Sequence, residues 1–526
     1  MNTIASITFL HSGLSSINCG RARNGKSMTL ILAIWMGVGS LSAQYAIGSQ
    51  LRAGVAKVDI TNTKAGPVND PLYVKALVIK NDTTTVAIVT VDAVSLGEIG
   101  YISNDYLGKV RTQIEKQLHI KPTNVLINAS HCHGKVITSG LDQRTFQAVQ
   151  KASRNMVPVN IGVGVGHEDR IMENRRLKLK NGKEADVRHA YSLPPDEEVA
   201  GIGPVDPEIG VLRFDRKDGR TLAVVYNFAC HPIEGVPSHG NTADFPGFAS
   251  KVIEENLSEG TIALFLQGCA GDINPVYYKD VSHPRSAEPL GNMLGLSTLR
   301  ALRKVKTKDD SRLQLINEVM ELPRADVAQR IVAMKAERER LLQSLQGTSL
   351  NLKTFVPLFV KYHVSGEFPS YYSHGYLHDQ ALGRDDLKKL DAENRRNMQL
   401  YIRNILTMEH LTRINTNLAL LEKHQANALA AGKRTVDVEL LGLRIGDFVL
   451  LTFPGELTVR IGLNIKEKSP YEQTFVAGYT NGYIYYAPTA EQLRNVGGAQ
   501  EDSECILAPA WQKLYEEKAA AMLREL

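Results

Sequence analysis

The chain has 526 residues, of which 22% are charged, 43% hydrophobic and 6% aromatic. These fractions are ordinary for a globular protein and exclude a collagen, a low-complexity disordered chain and a small disulfide-stapled protein. The formal net charge is +5, and it falls to +2 when the first 43 residues are set aside. Because the remaining body is nearly neutral, it lacks the basic surface on which nucleic-acid binding depends.

The amino terminus has the pattern of an export signal. Three basic residues between positions 21 and 26 precede an apolar run from Met28 to Val38, and small residues follow up to Ala43. This order is typical of a cleaved signal peptide, and the run is short for a membrane-spanning helix, which needs about 20 apolar residues. We therefore predict a leader over residues 1–43 and an exported protein, periplasmic or secreted. A membrane-anchored form is the alternative.

The first part of the body predicts an α/β architecture. Between Leu51 and about Leu315, short runs rich in β-branched residues alternate with helical stretches. Strands are expected at 55–61, 73–81, 85–95, 125–130, 211–230 (a hairpin) and 261–268, and helices at 105–120 and 245–257. Interleaved helices and strands favour α/β folds, and the hairpin favours mixed sheets layered with helices.

The second part predicts a helical insertion within one large catalytic domain, residues 44–526. From about 318 to 434, charges and aliphatic residues recur at helical period, which indicates two or three long helices. An irregular aromatic segment, FPSYYSHGYLHD at 368–379, separates them. Strands return at 436–453, and a helix at 511–526 ends the chain.

Two histidine motifs follow predicted buried strands. NASHCHG carries His131 and His133, whose rings point the same way if the strand continues through them. NFACHP carries His231, which the following proline biases towards an extended backbone. Ligands of α/β enzymes lie at such strand ends. Alternatively, the first motif is a surface histidine pair and the second is a structural His-Pro turn. The occurrence of two such motifs makes these alternatives less favoured.

Three further motifs add a carboxylate, phenols and a tight turn. FPGE places Glu456 just after a strand, where it can ligate a metal, act as a base or begin a helix. GYTNGYIYY holds four tyrosines; most of them fit a core patch, and one phenol can ligate a metal or stabilise an oxyanion. GCAGDINP has small residues that let a backbone approach closely.

In this order, SHCHG, NFACHP with ADFPG, GCAGDINP, FPGE and TNGYIYY resemble motifs of the neutral/alkaline, non-lysosomal ceramidase family. The resemblance runs from about Gly54 to the end of the chain. It corresponds to the family's amino-terminal catalytic domain, without the immunoglobulin-like carboxy-terminal domain.

The resemblance implies a zinc-dependent amidohydrolase that cleaves N-acylsphingosine (ceramide)-type lipids to a fatty acid and a sphingoid base with water activated at the metal. One zinc per chain is expected on His131, His231, Glu456 and Tyr483. The implied catalytic residues are His133, Arg175 and Tyr486, with Arg176 adjacent to the arginine. The implied partner is a lipid-like amide, with peripheral membrane contact and no nucleic acid.

Two departures from the family pattern keep other functions open. After the second histidine the family has Ser-Gly-Pro, whereas this chain reads Gly134-Lys135-Val136. Asn274 stands in place of a family serine. A zinc hydrolase of the same fold acting on another acyl amide or ester is therefore an alternative, and a non-catalytic binding protein is a second. Asp244 and Asp272 are candidates for orienting the ligand imidazoles.

Two other sets of residues are interpreted as structural. His374 and His378, in HGYLH, lack the glutamate of an H-E-x-x-H metalloprotease motif and are assigned to a loop or a substrate channel. The four cysteines of the body, Cys132, Cys230, Cys269 and Cys505, have irregular spacing. They are expected to be small buried residues and not a disulfide framework.

Overall fold

Two β-sheets, each covered by helices on one face, make up most of the structure. A computed structural model describes residues 50–187, 193–278, 280, 282–495 and 499–526, so the predicted leader lies outside the described residues. The strands are β1 (Arg52–Asp59), β2 (Tyr73–Lys80), β3 (Thr85–Val91), β4 (Val125–Ala129), β5 (Val157–His167), β6 (Met172–Asn174), β7 (Arg176–Leu179), β8 (Glu184–Asp186), β9 (Val199–Ile202), β10 (Glu208–Arg216), β11 (Thr221–Phe228), β12 (Ile262–Gln267), β13 (Ile273–Pro275), β14 (Leu313–Pro323), β15 (Thr435–Ile445), β16 (Phe448–Thr452), β17 (Glu456–Leu457), β18 (Thr474–Ala477) and β19 (Tyr486–Ala487).

The helices alternate with these strands through most of the chain. They are α1 (Tyr106–Leu118), α2 (Leu141–Arg154), α3 (Asp244–Glu255), α4 (Ala287–Leu302), α5 (Ala328–Ser344), α6 (Leu352–Val364), α7 (Ser373–Ala381), α8 (Asp386–Ala431), α9 (Val459–Lys468), α10 (Glu501–Glu504) and α11 (Trp511–Glu525). The predicted α/β class is therefore confirmed.

Both main sheets are mixed, as the hairpin pattern predicts. The larger has eight strands in the order β12-β11-β10-β5-β1-β2-β3-β4, and the smaller has four in the order β14-β15-β16-β18. The pairs β3–β4, β11–β12 and β16–β18 are parallel, and the other pairs within these two sheets are antiparallel. Each parallel pair delivers the ends of its two strands to the same edge, which is where the histidine, glutamate and tyrosine motifs begin.

The two sheets pack face to face, and hydrophobic alternation explains why. On β15, Leu441 and Leu443 belong to the core shared with the larger sheet, whereas Val438 and Leu440 belong to the core under the carboxy-terminal helices. Because side chains alternate between the faces of a strand, an apolar strand of this kind buries both faces. Helices α1 to α4 cover the larger sheet, and α9 and α11 cover the smaller one. The result is four layers: helix, sheet, sheet, helix.

The insertion consists of four helices, α5 to α8, between β14 and β15, whereas the sequence pattern predicts two or three. Its start was predicted at about 318, but β14 continues to Pro323 because its residues pair with β15 along their whole length. The 46 residues of α8 make a rod of about 69 Å at 1.5 Å per residue. The part of the aromatic segment from Ser373 onwards is helical and forms α7. Within the described residues, no helix is both long enough and apolar enough to cross a bilayer.

The carboxy-terminal half of α8 packs on α5 through an aliphatic stripe of Leu411, Ile414, Leu418 and Leu421. One turn further on, His424 is buried, and its ring meets that of Tyr485 edge to face at 4.6 Å. Neither ring nitrogen has a hydrogen-bond partner among the described residues. Burial, together with Lys423 and Arg324, lowers the pKa of His424 to about 4 against an opposing effect of Glu98.

We predict that His424 makes the fold less stable as the pH falls from about 6.5 to about 4. In this window the unfolded chain binds a proton on the imidazole and the folded chain does not. In His424→Phe, the loss of unfolding free energy between pH 7 and pH 5 should shrink by about 1 kcal/mol, measured by urea titration. His378→Phe, at an exposed position of α7, is the control. An undiminished pH dependence in His424→Phe would contradict the prediction.

Candidate metal centre

Three motif loops converge on one buried point between the sheets. His131 lies two residues beyond β4, His231 three residues beyond β11, and Glu456 begins β17 after the Pro-Gly turn that follows β16. All three side chains are at most 3% exposed. One donor atom from each can be chosen so that all three lie within 4.8 Å of one another, which makes them a group able to hold a metal ion.

The first histidine motif differs locally from its prediction. The strand ends at Ala129, and His131 has a left-handed backbone with φ of 65°. The rings of His131 and His133 therefore do not point the same way: their planes are 78° apart with centroids 5.6 Å apart. His131 is buried and His133 is exposed at the surface beside it.

Backbone carbonyl oxygens fix both buried imidazoles. Nδ1 of His131 lies 2.6 Å from the oxygen of Val94, and Nδ1 of His231 lies 3.1 Å from that of Ile273. A carbonyl oxygen only accepts, so each Nδ1 carries a proton, and in the neutral ring Nε2 is then the nitrogen that can ligate a metal. The prediction that Asp244 and Asp272 orient these rings is wrong. Asp244 accepts from the backbone of Gly235 and Phe245, and Asp272 from Val459 and Asn174.

The Nε2 atoms of both rings face the same carboxylate oxygen. Oε2 of Glu456 lies 3.0 Å from Nε2 of His231 and 3.7 Å from Nε2 of His131. Burial lowers the pKa of His131 to about 4, against the attraction of Glu456. Burial alone would raise the pKa of Glu456, but the imidazoles and Tyr483 outweigh it and hold that pKa well below its usual range. Two imidazole Nε2 atoms and one carboxylate meet here, and with neutral imidazoles such a set of acceptors attracts a cation.

Two tyrosines complete the hydrogen bonding of the carboxylate. The hydroxyl of Tyr483 donates to Oε1 of Glu456 at 2.5 Å, and that of Tyr479 donates to Oε2 at 3.2 Å. Burial and the negative charge of Glu456 raise the pKa of both phenols well above the usual value. Tyr483, the predicted fourth ligand, thus lies against the group. Tyr479 is an equally close phenol that the sequence interpretation assigned to the core, and its ring packs 4.2 Å from His131.

The two predicted catalytic residues Arg175 and Tyr486 lie side by side next to His231. The hydroxyl of Tyr486 is 3.4 Å from Nε2 of His231, and the Arg175 guanidinium donates to that hydroxyl at 3.2 Å. Arg175 also donates to Asn274, the residue in the family's serine position, at 3.0 Å. Arg176, the neighbouring alternative, forms ion pairs with Glu184 and Asp502, so the structure places Arg175 and not Arg176 at the centre.

A short acidic helix near the carboxy terminus positions the two arginines. Glu501, on α10, is fully buried and forms ion pairs with Arg175 at 2.6 Å and with Arg176 at 3.6 Å. Its neighbour Asp502 pairs with Arg176 at 2.7 Å. Sequence reasoning missed these acids, because EDSE carries no motif. Two adjacent arginines within a strand region are the one signal that calls for buried carboxylate partners.

His133 lines an open pocket at the surface beside the buried group. The pocket has a volume of about 330 Å³. Polar side chains dominate its wall, among them His133, Glu234, His239, Asn241 and Asp244. The predicted catalytic role of His133 therefore concerns a residue outside the buried core of the site, facing solvent and this pocket.

The asparagines of three motifs join the loops to the sheets. Asn128 accepts from the amide of Gln267 at 3.0 Å and donates to Gly478 and to Thr480. Asn227 donates to the carbonyl oxygens of Leu266 and Val476, and Asn481 accepts from the amide of Ile127. These buried amides tie the histidine strands to the tyrosine loop, so their place beside the histidines has a structural reason.

A glycine lets two of the loops approach closely. A Cβ atom added to Gly455 would meet the carbonyl oxygen of Tyr485 at 2.8 Å. Only glycine allows this approach, and the amide of the next residue, Glu456, donates to that same oxygen. The Pro-Gly turn therefore sets the position of the carboxylate against the tyrosine loop.

Residues interpreted as structural lie away from the buried group. His374 and His378 are exposed on helix α7, in the insertion, so their assignment to a loop is wrong, and they are not part of the buried group. The four cysteines of the body are buried and free, in agreement with the prediction that they form no disulfide framework.

Comparison with solved structures identifies the fold. A neutral ceramidase from Pseudomonas aeruginosa matches with a TM-score of 0.55 and 15% identity over 91% of this chain and 75% of that one. A structure described as a ceramidase complexed with C2 matches with a TM-score of 0.56 and 17% identity over 91% and 76% of the two chains. No protein-family model and no curated protein matches. The chain thus has the fold of the neutral ceramidases, in agreement with the resemblance of its motifs.

We predict that Asn128→Ala destabilises the protein by about 2–4 kcal/mol. The substitution leaves the buried amide of Gln267 without its acceptor and removes the donor that Gly478 and Thr480 share, although those two keep a hydrogen bond to each other. Urea unfolding measures the loss. Asn69→Ala, at an exposed position, is the control and should change stability by less than about 0.5 kcal/mol. Equal stabilities of the two variants would show that Asn128 does not hold the loops together.

Proposed function

We propose that this protein is an exported zinc hydrolase that cleaves the amide bond of N-acylsphingosine-type lipids. One observation carries the metal: Nε2 of His131, Nε2 of His231 and the carboxylate of Glu456 face one another inside the protein. With both imidazoles neutral, these groups are acceptors that a cation among them stabilises. The export part of the proposal rests on the leader sequence alone.

The residues present fit zinc. Two imidazole nitrogens and one carboxylate are a ligand set of catalytic zinc sites, which keep a further position open. His131, His231 and Glu456 would hold the ion, with Tyr483 as the fourth ligand once its hydroxyl loses its proton. The carbonyl oxygens of Val94 and Ile273 supply the outer hydrogen bonds that hold metal-binding histidines in orientation. Bound zinc supplies Lewis acidity and makes water a stronger acid.

The chain's own residues would stabilise the charge that develops on the carbonyl oxygen of the scissile amide. Arg175 and Tyr486 are hydrogen-bonded to each other and border His231, so both can donate to an oxyanion formed there. The buried carboxylate of Glu501 keeps the guanidinium in place. Because the group is buried, these donors act with little screening by water.

The departing amine needs a proton, and His133 is in a position to provide one. It stands next to His131 and faces the open pocket, where an amine can leave towards solvent. The polar wall of that pocket suits the hydroxyl groups of a sphingoid base. The ceramide specificity itself rests on the motif order and on the fold shared with proteins described as ceramidases.

The purified protein should contain about one zinc per chain, measured by elemental analysis. His131→Ala and Glu456→Ala should lose the metal, since each removes a ligand from a set of three or four. The double variant His374→Ala/His378→Ala, in the insertion, is the matched control and should keep it. A wild-type protein that takes up no zinc even after incubation with zinc salts would rule out this function.

Arg175→Lys should reduce kcat/KM for a short-chain ceramide by about a hundredfold while zinc content stays unchanged. Lysine keeps the positive charge, but its single ammonium group cannot contact Glu501, Asn274 and Tyr486 at the same time. Arg176→Lys is the control, because Arg176 is the adjacent residue and pairs with Glu184 and Asp502. It should change kcat/KM by less than about tenfold. Equal losses in both variants would mean that the pair acts only on folding. Polar acyl amides assayed in parallel test the alternative substrate class.

A further inference from the structure

Helix α6 has an apolar face that the rest of the protein leaves uncovered. Its packed side is turned towards α8: the ring of Phe355 lies 4.7 Å from that of Tyr401, and the Tyr362 hydroxyl donates to Asp391 at 2.7 Å. The other side carries apolar residues at helical spacing, with exposed fractions between 42% and 82%. They are Leu352, Val356, Phe359, Val360 and Val364.

Two tyrosines that follow α6 in the chain are also exposed. Tyr371 and Tyr372, in the connection to α7, are 64% and 80% exposed. We call these two residues and the five of α6 the apolar tip: Leu352, Val356, Phe359, Val360, Val364, Tyr371 and Tyr372. Exposed apolar side chains in such a group mark an interaction site.

A buried carboxylate keeps the apolar tip in shape. Asp391, near the start of α8, accepts hydrogen bonds from Tyr362 of α6, Tyr376 of α7 and Ser370 between them. The three segments are thus fixed to one another by a satisfied polar network. The apolar tip is therefore a built surface, not a frayed end.

The charges beside the apolar tip are mainly positive. Lys353 and Lys361 are the only formally charged residues of α6, and between Leu352 and Tyr372 the only acid is Glu367. Long lysine side chains place their ammonium groups at the level of lipid headgroups while their stems cover apolar surface. Tyrosine is the other residue that favours this boundary.

We propose that the apolar tip docks on the surface of a lipid bilayer that carries anionic headgroups. An amphipathic helix with apolar residues on one side and lysines at its margin lies in the interface in this way. A second copy of the chain fits less well, because a twofold contact would bring the lysines of both copies together. The docking proposal rests on the proposed function, because an N-acylsphingosine-type substrate would reside in a bilayer.

Binding to vesicles without substrate tests the docking directly. The full-length protein is sedimented with vesicles of phosphatidylcholine, with and without roughly one-third phosphatidylglycerol. Val356→Glu/Val360→Glu places two charges on the apolar tip at exposed positions. Val332→Glu/Leu429→Glu, at positions 69% and 72% exposed on α5 and α8, is the matched control. The residues before Gly48 are the same in all these proteins, so differences report on the insertion.

We expect the tip variant to lower the partition coefficient at least about tenfold and the control to leave it unchanged. Lys353→Ser/Lys361→Ser should remove most of the preference for anionic vesicles. Absent binding of the wild type, or equal binding of the tip variant, overturns the proposal. Light scattering tests whether a second copy of the chain binds the apolar tip instead. A wild-type dimer that becomes monomeric in the tip variant would also overturn the docking proposal.

Activity on a soluble short-chain N-acyl substrate separates this proposal from the proposed function. If the tip variant hydrolyses that substrate normally but does not bind vesicles, both proposals stand. If neither protein hydrolyses it while the wild type binds vesicles and the tip variant does not, the docking surface stands and the proposed function fails.

Discussion

The arrangement of the site depends on one buried carboxylate. Glu456 faces the Nε2 atoms of two imidazoles and receives hydrogen bonds from two phenols. An ionised group in a dry interior is tolerable only when its surroundings compensate it almost completely. This requirement explains why four separate segments of the chain come to one point: each supplies part of the compensation, and the loops that carry them are joined by buried asparagine amides.

The sheets make this convergence possible. Parallel pairs at β3–β4, β11–β12 and β16–β18 bring strand ends to common edges. The face-to-face packing of the two sheets then sets the histidine loops of one against the glutamate and tyrosine loops of the other. The hydrophobic alternation of β15 and β16 is therefore as much a condition of the site as the polar residues are, because a slip of one residue would exchange the two faces.

Much of this could be predicted from the sequence. The strands before NASHCHG and NFACHP are short apolar runs rich in β-branched residues, a pattern typical of buried strands. The residues His131, His231, Glu456, Tyr483, Arg175 and Tyr486 do lie together. The sequence could not predict which residues distant in the chain would contact one another. The pairing of Glu501 with Arg175 joins residues far apart in the chain. The left-handed turn at His131 is set by packing and not by local propensity.

The continuous helix α8 separates two sets of interactions within the insertion. Near its start Asp391 gathers the hydrogen bonds that hold α6 and α7. Near its end an aliphatic stripe packs on α5, and His424 meets Tyr485 of the tyrosine loop. About 30 Å of helix lies between Asp391 and Leu411. Substitutions at the two ends should therefore have additive effects on stability. A change at the outer end of the insertion can therefore leave undisturbed the inner end, which remains packed against the tyrosine loop of the site.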